Sequence, residues 1–402
     1  MKIGIALLSI LLMLLIGSTK VFSMGVKSTM KASFQIDFLQ QEDTLVKDSI
    51  LHDSIIPSLY DFLINDSLIS YYVVEDTAKY TYDMICHDLV YFQHTYPAVV
   101  HPVTIGKSEF GLDLKTVRIG RAVPKKRCVY FVGNIHARED YSSKLLMKFL
   151  NVYLLSMDGK SNRYPNALLM LDSIDIYITP VANPDGLKIA HEDWIGIEDS
   201  FALVKDSIIL EDSYREWKAN GRGIDLNTTF DDGNYAVKRG GAFHPSPASE
   251  GYKGTKPAEP IETQNIQQFV NLNKPLITAS FHTKGNILFW ADSKTHPIFQ
   301  NVDTEIIEKA AIVSGFRTST ISKNPSDYGC GLENYVRSRL GLIGICVELS
   351  RGDKTRFQHS DNKFNEEVWV KAWELPYLFI LNASLYGERL ETYSMEYVRG
   401  MQ

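Results

Sequence analysis

Cysteine is scarce: the 402 residues hold four, Cys86, Cys128, Cys330 and Cys346, at no recurring spacing. That excludes a disulfide framework or a thiolate metal cluster as the basis of the fold. Cys128 and Cys346 lie inside apolar runs, where cysteine serves as a small hydrophobe, and a bridge between Cys330 and Cys346 is the one pairing the sequence invites. A basic excess is missing too. The 42 Lys and Arg stand against 48 Asp and Glu, a formal charge of -6, so nucleic acid is not an expected partner. There is no internal repeat, sustained heptad or glycine-rich phosphate loop.

The one long apolar run is at the N-terminus, from Ile3 to Ile16, preceded by Lys2 and followed by Gly17-Ser18-Thr19. It is short of the roughly 20 residues a helix needs to cross a bilayer and has the anatomy of a signal peptide over residues 1–23, cleaved after Val21-Phe22-Ser23. A secreted or extracytoplasmic location is expected, with no stable transmembrane span once the signal is removed. An uncleaved anchor with Lys20 at the membrane surface is the alternative. Residues 24–76, in which Asp48-Ser49-Ile50 and Asp53-Ser54-Ile55 echo each other, read as an extension or linker.

From residue 77 to about 390 short apolar runs alternate with segments of helical period, the texture of one α/β domain. Strands are expected at Cys128–Val132, Ile174–Val181, Leu276–Phe281 and Ile343–Val347, and helices at Ser143–Ser156, Glu262–Asn271 and Ile306–Ser314. The predicted architecture is a mixed, mostly parallel central sheet flanked by helices. Residues 191–213 interrupt it as a surface insertion or lid, and 391–402 are expected to form a C-terminal tail.

Three of the apolar runs end in residues that carry chemistry. Cys128–Val132 runs into Gly133-Asn134-Ile135-His136-Ala137-Arg138-Glu139, which sets an imidazole and a carboxylate three residues apart just past a strand end. Nitrogen and oxygen donors of this kind suit zinc, and a catalytic zinc needs three protein ligands with one position left open. A second run ends in Phe281-His282-Thr283, and open α/β sheets bind ligands at the carboxyl ends of their strands. A third ends in Cys346-Val347-Glu348-Leu349. A carboxylate closing an apolar run is costly unless it is paired or used, and beside a metal it can act as a proton acceptor. The ordinary reading of Glu348 alone is an ion pair with Arg351 or Lys354.

Taken together these segments resemble the zinc carboxypeptidase family, carboxypeptidase A and its bacterial relatives, over roughly Tyr80 to Leu385. The resemblance runs in order through Ile105-Gly106-Lys107-Ser108, His136–Glu139, Asn183-Pro184-Asp185-Gly186, Gly223-Ile224-Asp225-Leu226-Asn227, His282 and Glu348-Leu349. It implies one Zn2+ per chain on His136, Glu139 and His282, with Glu348 as general base. It further implies that Arg138 and Asn227 contact substrate, that Lys218, or alternatively Arg222, steadies the oxyanion, and that Tyr328 closes over substrate. Glu333 falls where the family varies its specificity pocket, and an acidic floor favours a cationic side chain. Asn183-Pro184-Asp185-Gly186 reads as a structural turn.

One departure bears on substrate. Asn227-Thr228-Thr229-Phe230 has threonine where the family carries the arginine of its carboxylate clamp, and a hydroxyl does not replace a bidentate guanidinium. The implied activity is that of a metallocarboxypeptidase acting on peptides. The enzymatic alternative is a bacterial cell-wall peptide hydrolase acting at γ-D-glutamyl-diamino acid bonds. The non-enzymatic alternative is a silent peptide or peptidoglycan binder, which has no reason to keep all of His136, Glu139, His282 and Glu348.

Overall fold

A computed structural model of the protein describes residues 79–123, 126–239, 244–291, 300–319, 324, 326, 329–351 and 363–401. The expected signal peptide, the extension 24–76 and Tyr328 lie outside the described residues.

Eight strands form one sheet: β1 (Val100–Lys107), β2 (Asp113–Ile119), β3 (Arg127–Val132), β4 (Ile174–Thr179), β5 (Ile277–Thr283), β6 (Ile287–Phe289), β7 (Arg317–Thr318) and β8 (Ile343–Leu349), in the order β1-β2-β4-β3-β5-β8-β6-β7. The central strands β4, β3, β5 and β8 run parallel. β1, β2 and β6 join antiparallel to their neighbours, and β7 lies parallel to β6. Strands covered on both faces read as continuous apolar runs, which is why β3, β5 and β8 stood out in the sequence. All three are buried almost throughout.

The main helices are α1 (Tyr82–Thr95), α2 (Tyr141–Met157), α3 (Pro184–Ala190), α4 (Glu198–Val204), α5 (Ile261–Asn273), α6 (Gln300–Ser314), α7 (Leu332–Tyr335) and α8 (Leu375–Met401). Local chemistry sets several starts. The Thr81 hydroxyl caps α1 by accepting from Met84 N at 3.3 Å, and Asn183 caps α3 by accepting from Gly186 N at 3.0 Å, with Pro184 in the first turn. The Asn183-Pro184-Asp185-Gly186 segment is therefore a helix start rather than a simple turn. α2 packs on β3 and β5, α8 on β3, β4 and β5, and α5 on β1. Phe131 of β3 ties these layers together, meeting Phe149 of α2 and Phe281 of β5 edge-on at 6.2 and 6.1 Å and Phe379 of α8 at 6.4 Å.

Two expectations change. Residues 391–401 are not a separate tail but continue α8 as far as Met401. All four cysteines are free thiols, so Cys330 and Cys346 form no bridge; Cys330 Sγ instead lies 3.5 Å from Asp232 Oδ1. No helix among the described residues is long and apolar enough to cross a membrane.

Candidate metal centre

Beyond β3 the chain turns through Gly133 and Asn134. A Cβ at Gly133 would lie 2.7 Å from the Pro180 carbonyl oxygen, and Asn134 takes a left-handed φ of 51°. Asn134 Nδ2 donates to the carbonyls of His136 and Ala137 at 3.1 and 3.0 Å. Its N–H donates to Ser142 Oγ, whose hydroxyl donates in turn to the Glu139 carbonyl. This closed turn at the head of α2 aims the His136 and Glu139 side chains at the end of β5.

There they meet His282. His136 Nδ1 and Glu139 Oε1 are 3.0 Å apart, His282 Nδ1 and Glu139 Oε2 3.0 Å, and the two Nδ1 atoms 3.1 Å. All three side chains are buried, and their ligand atoms lie within 4.8 Å of one another. Two ring nitrogens facing each other and one carboxylate satisfy each other poorly, because only a nitrogen bearing hydrogen can donate to the other. A shared cation accepts all these lone pairs. Zinc takes histidine nitrogen at about 2.0–2.1 Å, which separates tetrahedral donors by about 3.3 Å, close to the spacing seen. The second nitrogen of His136, Nε2, lies 3.2 Å from Asp225 Oδ1, an arrangement that fixes the tautomer with the Nδ1 lone pair directed inward. His282 Nε2 is buried without a partner, so that ring too does its bonding through Nδ1. The residues fit a zinc ion.

Electrostatics favour the charged forms within this cluster. Burial alone would raise the Glu139 carboxyl, yet His136 and His282 hold it well below the usual carboxylate range. Asp225 behaves likewise, with Lys218 and His136 overriding burial. Glu348 is the exception. Burial, then repulsion from Glu139 and Glu333, pushes it up to about 7 against the pull of His282 and Lys218. In the β5–β8 register Glu348 stands directly opposite His282.

The other predicted residues sort themselves by distance. Lys218 Nζ lies 3.4 Å from Asp225 Oδ2 and is thus one carboxylate away from His136. Arg138 Nη1 donates to the Glu216 carbonyl at 2.8 Å and to Glu250 Oε2 at 3.0 Å, and Glu250 Oε1 is also 3.9 Å from Lys218 Nζ. Arg222 is not brought to the cluster; its half-exposed guanidinium faces Glu109 Oε2 at 3.5 Å. Asn227 and Glu333 line a cavity of about 220 Å³ that Glu348 and Cys346 also border. The Thr228 hydroxyl donates to the Asp225 carbonyl at 2.7 Å, so it closes its own turn.

Sequence reading missed two contributors. Asp225 was quoted only as part of a motif, and Glu250, in Ala248-Ser249-Glu250-Gly251, drew no attention. An acidic residue recurring on the loops between apolar strands is the weak signal both carried.

The zinc carboxypeptidase family pattern matches residues 85–374 of the chain. The chain is 24% identical over 286 residues to gamma-D-glutamyl-L-diamino acid endopeptidase 1 of Lysinibacillus sphaericus, covering 70% of this chain and 68% of the relative. It is 28% identical over 263 residues to carboxypeptidase A6 of Homo sapiens, covering 64% of this chain and 52% of that protein. Its fold is similar to that of thrombin activatable fibrinolysis inhibitor, with a TM-score of 0.60 at 18% identity over 82% of this chain and 80% of that one. The matched stretch takes in every strand of the sheet and all the residues that converge on His136, and by it the chain belongs to the zinc carboxypeptidase family.

Proposed function

We propose that this metallopeptidase hydrolyses a peptide bond at a zinc ion held by His136, Glu139 and His282, with Glu348 as general base. The observation that carries the reading is the β5–β8 register, which sets the Glu348 carboxyl opposite a histidine of the three-donor cluster. Bound zinc would supply the Lewis acidity that polarises a carbonyl and acidifies water. Glu348, beside the cluster and raised by burial, would take a proton from that water on an Oε atom and return it to the leaving amine. Lys218 brings an ammonium to steady negative charge developing on the carbonyl oxygen, while Asp225 orients His136. To Arg138 and Asn227 we assign contact with substrate.

The substrate we infer is a peptide cut next to a residue with a cationic side chain, which Glu333 would face. A second reading, cell-wall peptides cut at a γ-D-glutamyl bond to a diamino acid, is supported by the name of the Lysinibacillus relative and by Thr228. Hydrolysis of a panel of each kind by wild type and Glu348→Gln at equal zinc content tests both. We expect Glu348→Gln to lose about 10²–10⁴-fold in rate. An unchanged rate would sink the assignment of the base, and no cleavage of either panel would leave the silent binder.

The run Ile3–Ile16 supports export to an extracytoplasmic site. The exported protein is expected to begin at Met24, and N-terminal sequencing that finds Met1 instead would favour the uncleaved anchor.

A further inference from the structure

At the end of the sheet away from the metal centre the chain forms another cavity, of about 580 Å³. That volume falls inside the range of about 300–1,000 Å³ typical of small-molecule sites. Its floor comes from the strands that carry the centre. Arg127 and Cys128 open β3, Leu276 precedes β5 and Leu342 precedes β8. Leu276 and His282 are six residues apart, and so are Leu342 and Glu348. At about 3.3 Å per residue of strand, the cavity and the centre lie roughly 20 Å apart. A ligand seated here touches none of the reacting groups.

The wall combines apolar surface with charge of one sign. Leu276 and Leu342 are buried, and Met395 and Val398, on the last turns of α8, line the same space. Met395 is 53% exposed, so apolar surface is left in water at the cavity. The charged residues of the lining are Lys126, Arg127, Lys274 and Arg399 against Glu391 alone, in a chain whose formal charge is -6.

Two of these cations are already engaged. Lys126 Nζ pairs with Asp175 and donates to the Leu171 carbonyl at 3.3 Å. Arg127 Nη2 pairs with Glu391 Oε2 at 3.0 Å, which also answers the one acid of the lining. Lys274 and Arg399 are exposed and form no ion pair among the described residues. The backbone that carries each is nonetheless fixed. Lys274 ends α5 with a left-handed φ of 46°, its N–H donating to the Val270 carbonyl at 2.8 Å. Just before Arg399, α8 is held by the Ser394 and Tyr397 hydroxyls, which donate to the carbonyls of Leu340 and Ser338.

A neutral apolar ligand would leave both of these cations unanswered, and a small inorganic anion would leave the apolar wall in water. A ligand with one anionic head and an unbranched apolar tail answers both. A guanidinium takes a carboxylate through two parallel bonds, an ammonium adds a point charge, and the tail removes apolar surface from water. We propose that this cavity binds an amphipathic carboxylate, an acyl chain of medium length whose head is held by Lys274 and Arg399 and whose tail lies on Leu276, Leu342, Met395 and Val398. The site goes beyond the peptidase reading and does not depend on it.

The test is calorimetry on the zinc-loaded full chain with decanoate below its micelle concentration, decanol and acetate. Decanoate is expected to bind about tenfold tighter than decanol, as a charge-assisted bond to the head provides, and acetate to give no signal at the same concentrations. Lys274→Gln together with Arg399→Gln should bring decanoate to the level of decanol. Met395→Glu, which sets a carboxylate against the tail, should weaken decanoate about tenfold. Zinc content and melting temperature of both variants should stay those of wild type, since all three side chains are exposed. Equal affinity for decanoate and decanol, or decanoate binding that the double variant leaves intact, overturns the proposal. A carboxylate can also reach a metal ion, so the titration is repeated after chelation. Unchanged affinity keeps decanoate at the cavity, and binding that disappears with the zinc overturns it. Sedimentation separates the other occupants. A dimer that Met395→Glu breaks, or pelleting with phosphatidylglycerol vesicles, in a protein that binds no decanoate makes this face a contact surface and overturns the ligand site.

Discussion

Asp225 touches His136 Nε2 with one oxygen at 3.2 Å and Lys218 Nζ with the other at 3.4 Å, so one carboxylate positions both a proposed zinc ligand and the neighbouring ammonium. Replacing it by asparagine removes the charge that fixes the tautomer of His136. Partners of this kind are typically worth 10–100-fold in metal affinity, and Asp225→Asn is expected to weaken zinc by about that factor in a competitive chelator titration. Wild-type affinity in the variant would show that Asp225 serves Lys218 alone. The residues that the sequence revealed are those at the ends of buried strands, His136, His282 and Glu348, because an ionisable group closing an apolar run has few ordinary uses. Asp225 and Glu250 sit on loops whose course is set by tertiary contacts, and nothing in their flanking residues announces them.

At the scale of elements, the stretch 191–213 proves to be a folded buttress. Trp194 stacks on Phe201 of α4 at 5.4 Å, and Phe201 meets Trp217 edge-on at 5.7 Å. This small core includes Ala137 and Ala219, the chain neighbours of Arg138 and Lys218. Phe201→Ala is expected to cost about 3 kcal/mol or more in a denaturant titration and to lower kcat/KM while leaving zinc content intact. Loss of zinc together with activity would show that the buttress supports the metal ligands instead. The helices α2 and α5 were placed from sequence to within a few residues because their apolar faces keep a steady period. The end of α8 was not. Past Leu390 it buries almost nothing, so periodicity fades while the helix is tied to the rest of the chain by polar contacts, Tyr397 OH donating to the Ser338 carbonyl at 3.0 Å and Glu391 pairing with Arg127 at 3.0 Å.

At the scale of the whole molecule, two buried carboxyls away from the metal centre are pushed above the usual carboxylate range. Burial, then repulsion from Asp185 and Glu109, pushes Glu262 up to about 8, and burial pushes Asp185 up to about 7. In the unfolded chain both would ionise near pH 4. The folded protein therefore retains protons that the unfolded one releases, and the stability these two groups contribute is lost as pH rises from about 4 towards 8. Glu262→Gln, fixed in the neutral form, should show a shallower loss of melting temperature over that range, and parallel slopes would place the pH dependence elsewhere. The sheet order itself was only partly readable. Buried apolar runs identify the parallel centre, but β6 and β7 are too short to show a pattern, and their pairings come from the folded whole.

The centre is spread along the chain from His136 to Glu348, on strands whose neighbours in the sheet are distant in sequence. Pairings of such long range form late in folding, since loop closure opposes them until much of the core is in place. His136 and Glu139 can acquire His282 only when β5 has docked on β3, and Glu348 joins them only when β8 has docked on β5. A chain in which β5 has docked on β3 but β8 has not would bring His136, Glu139 and His282 together while Glu348 was still apart from them, so the three-donor cluster and its neighbouring carboxyl depend on different strand pairings.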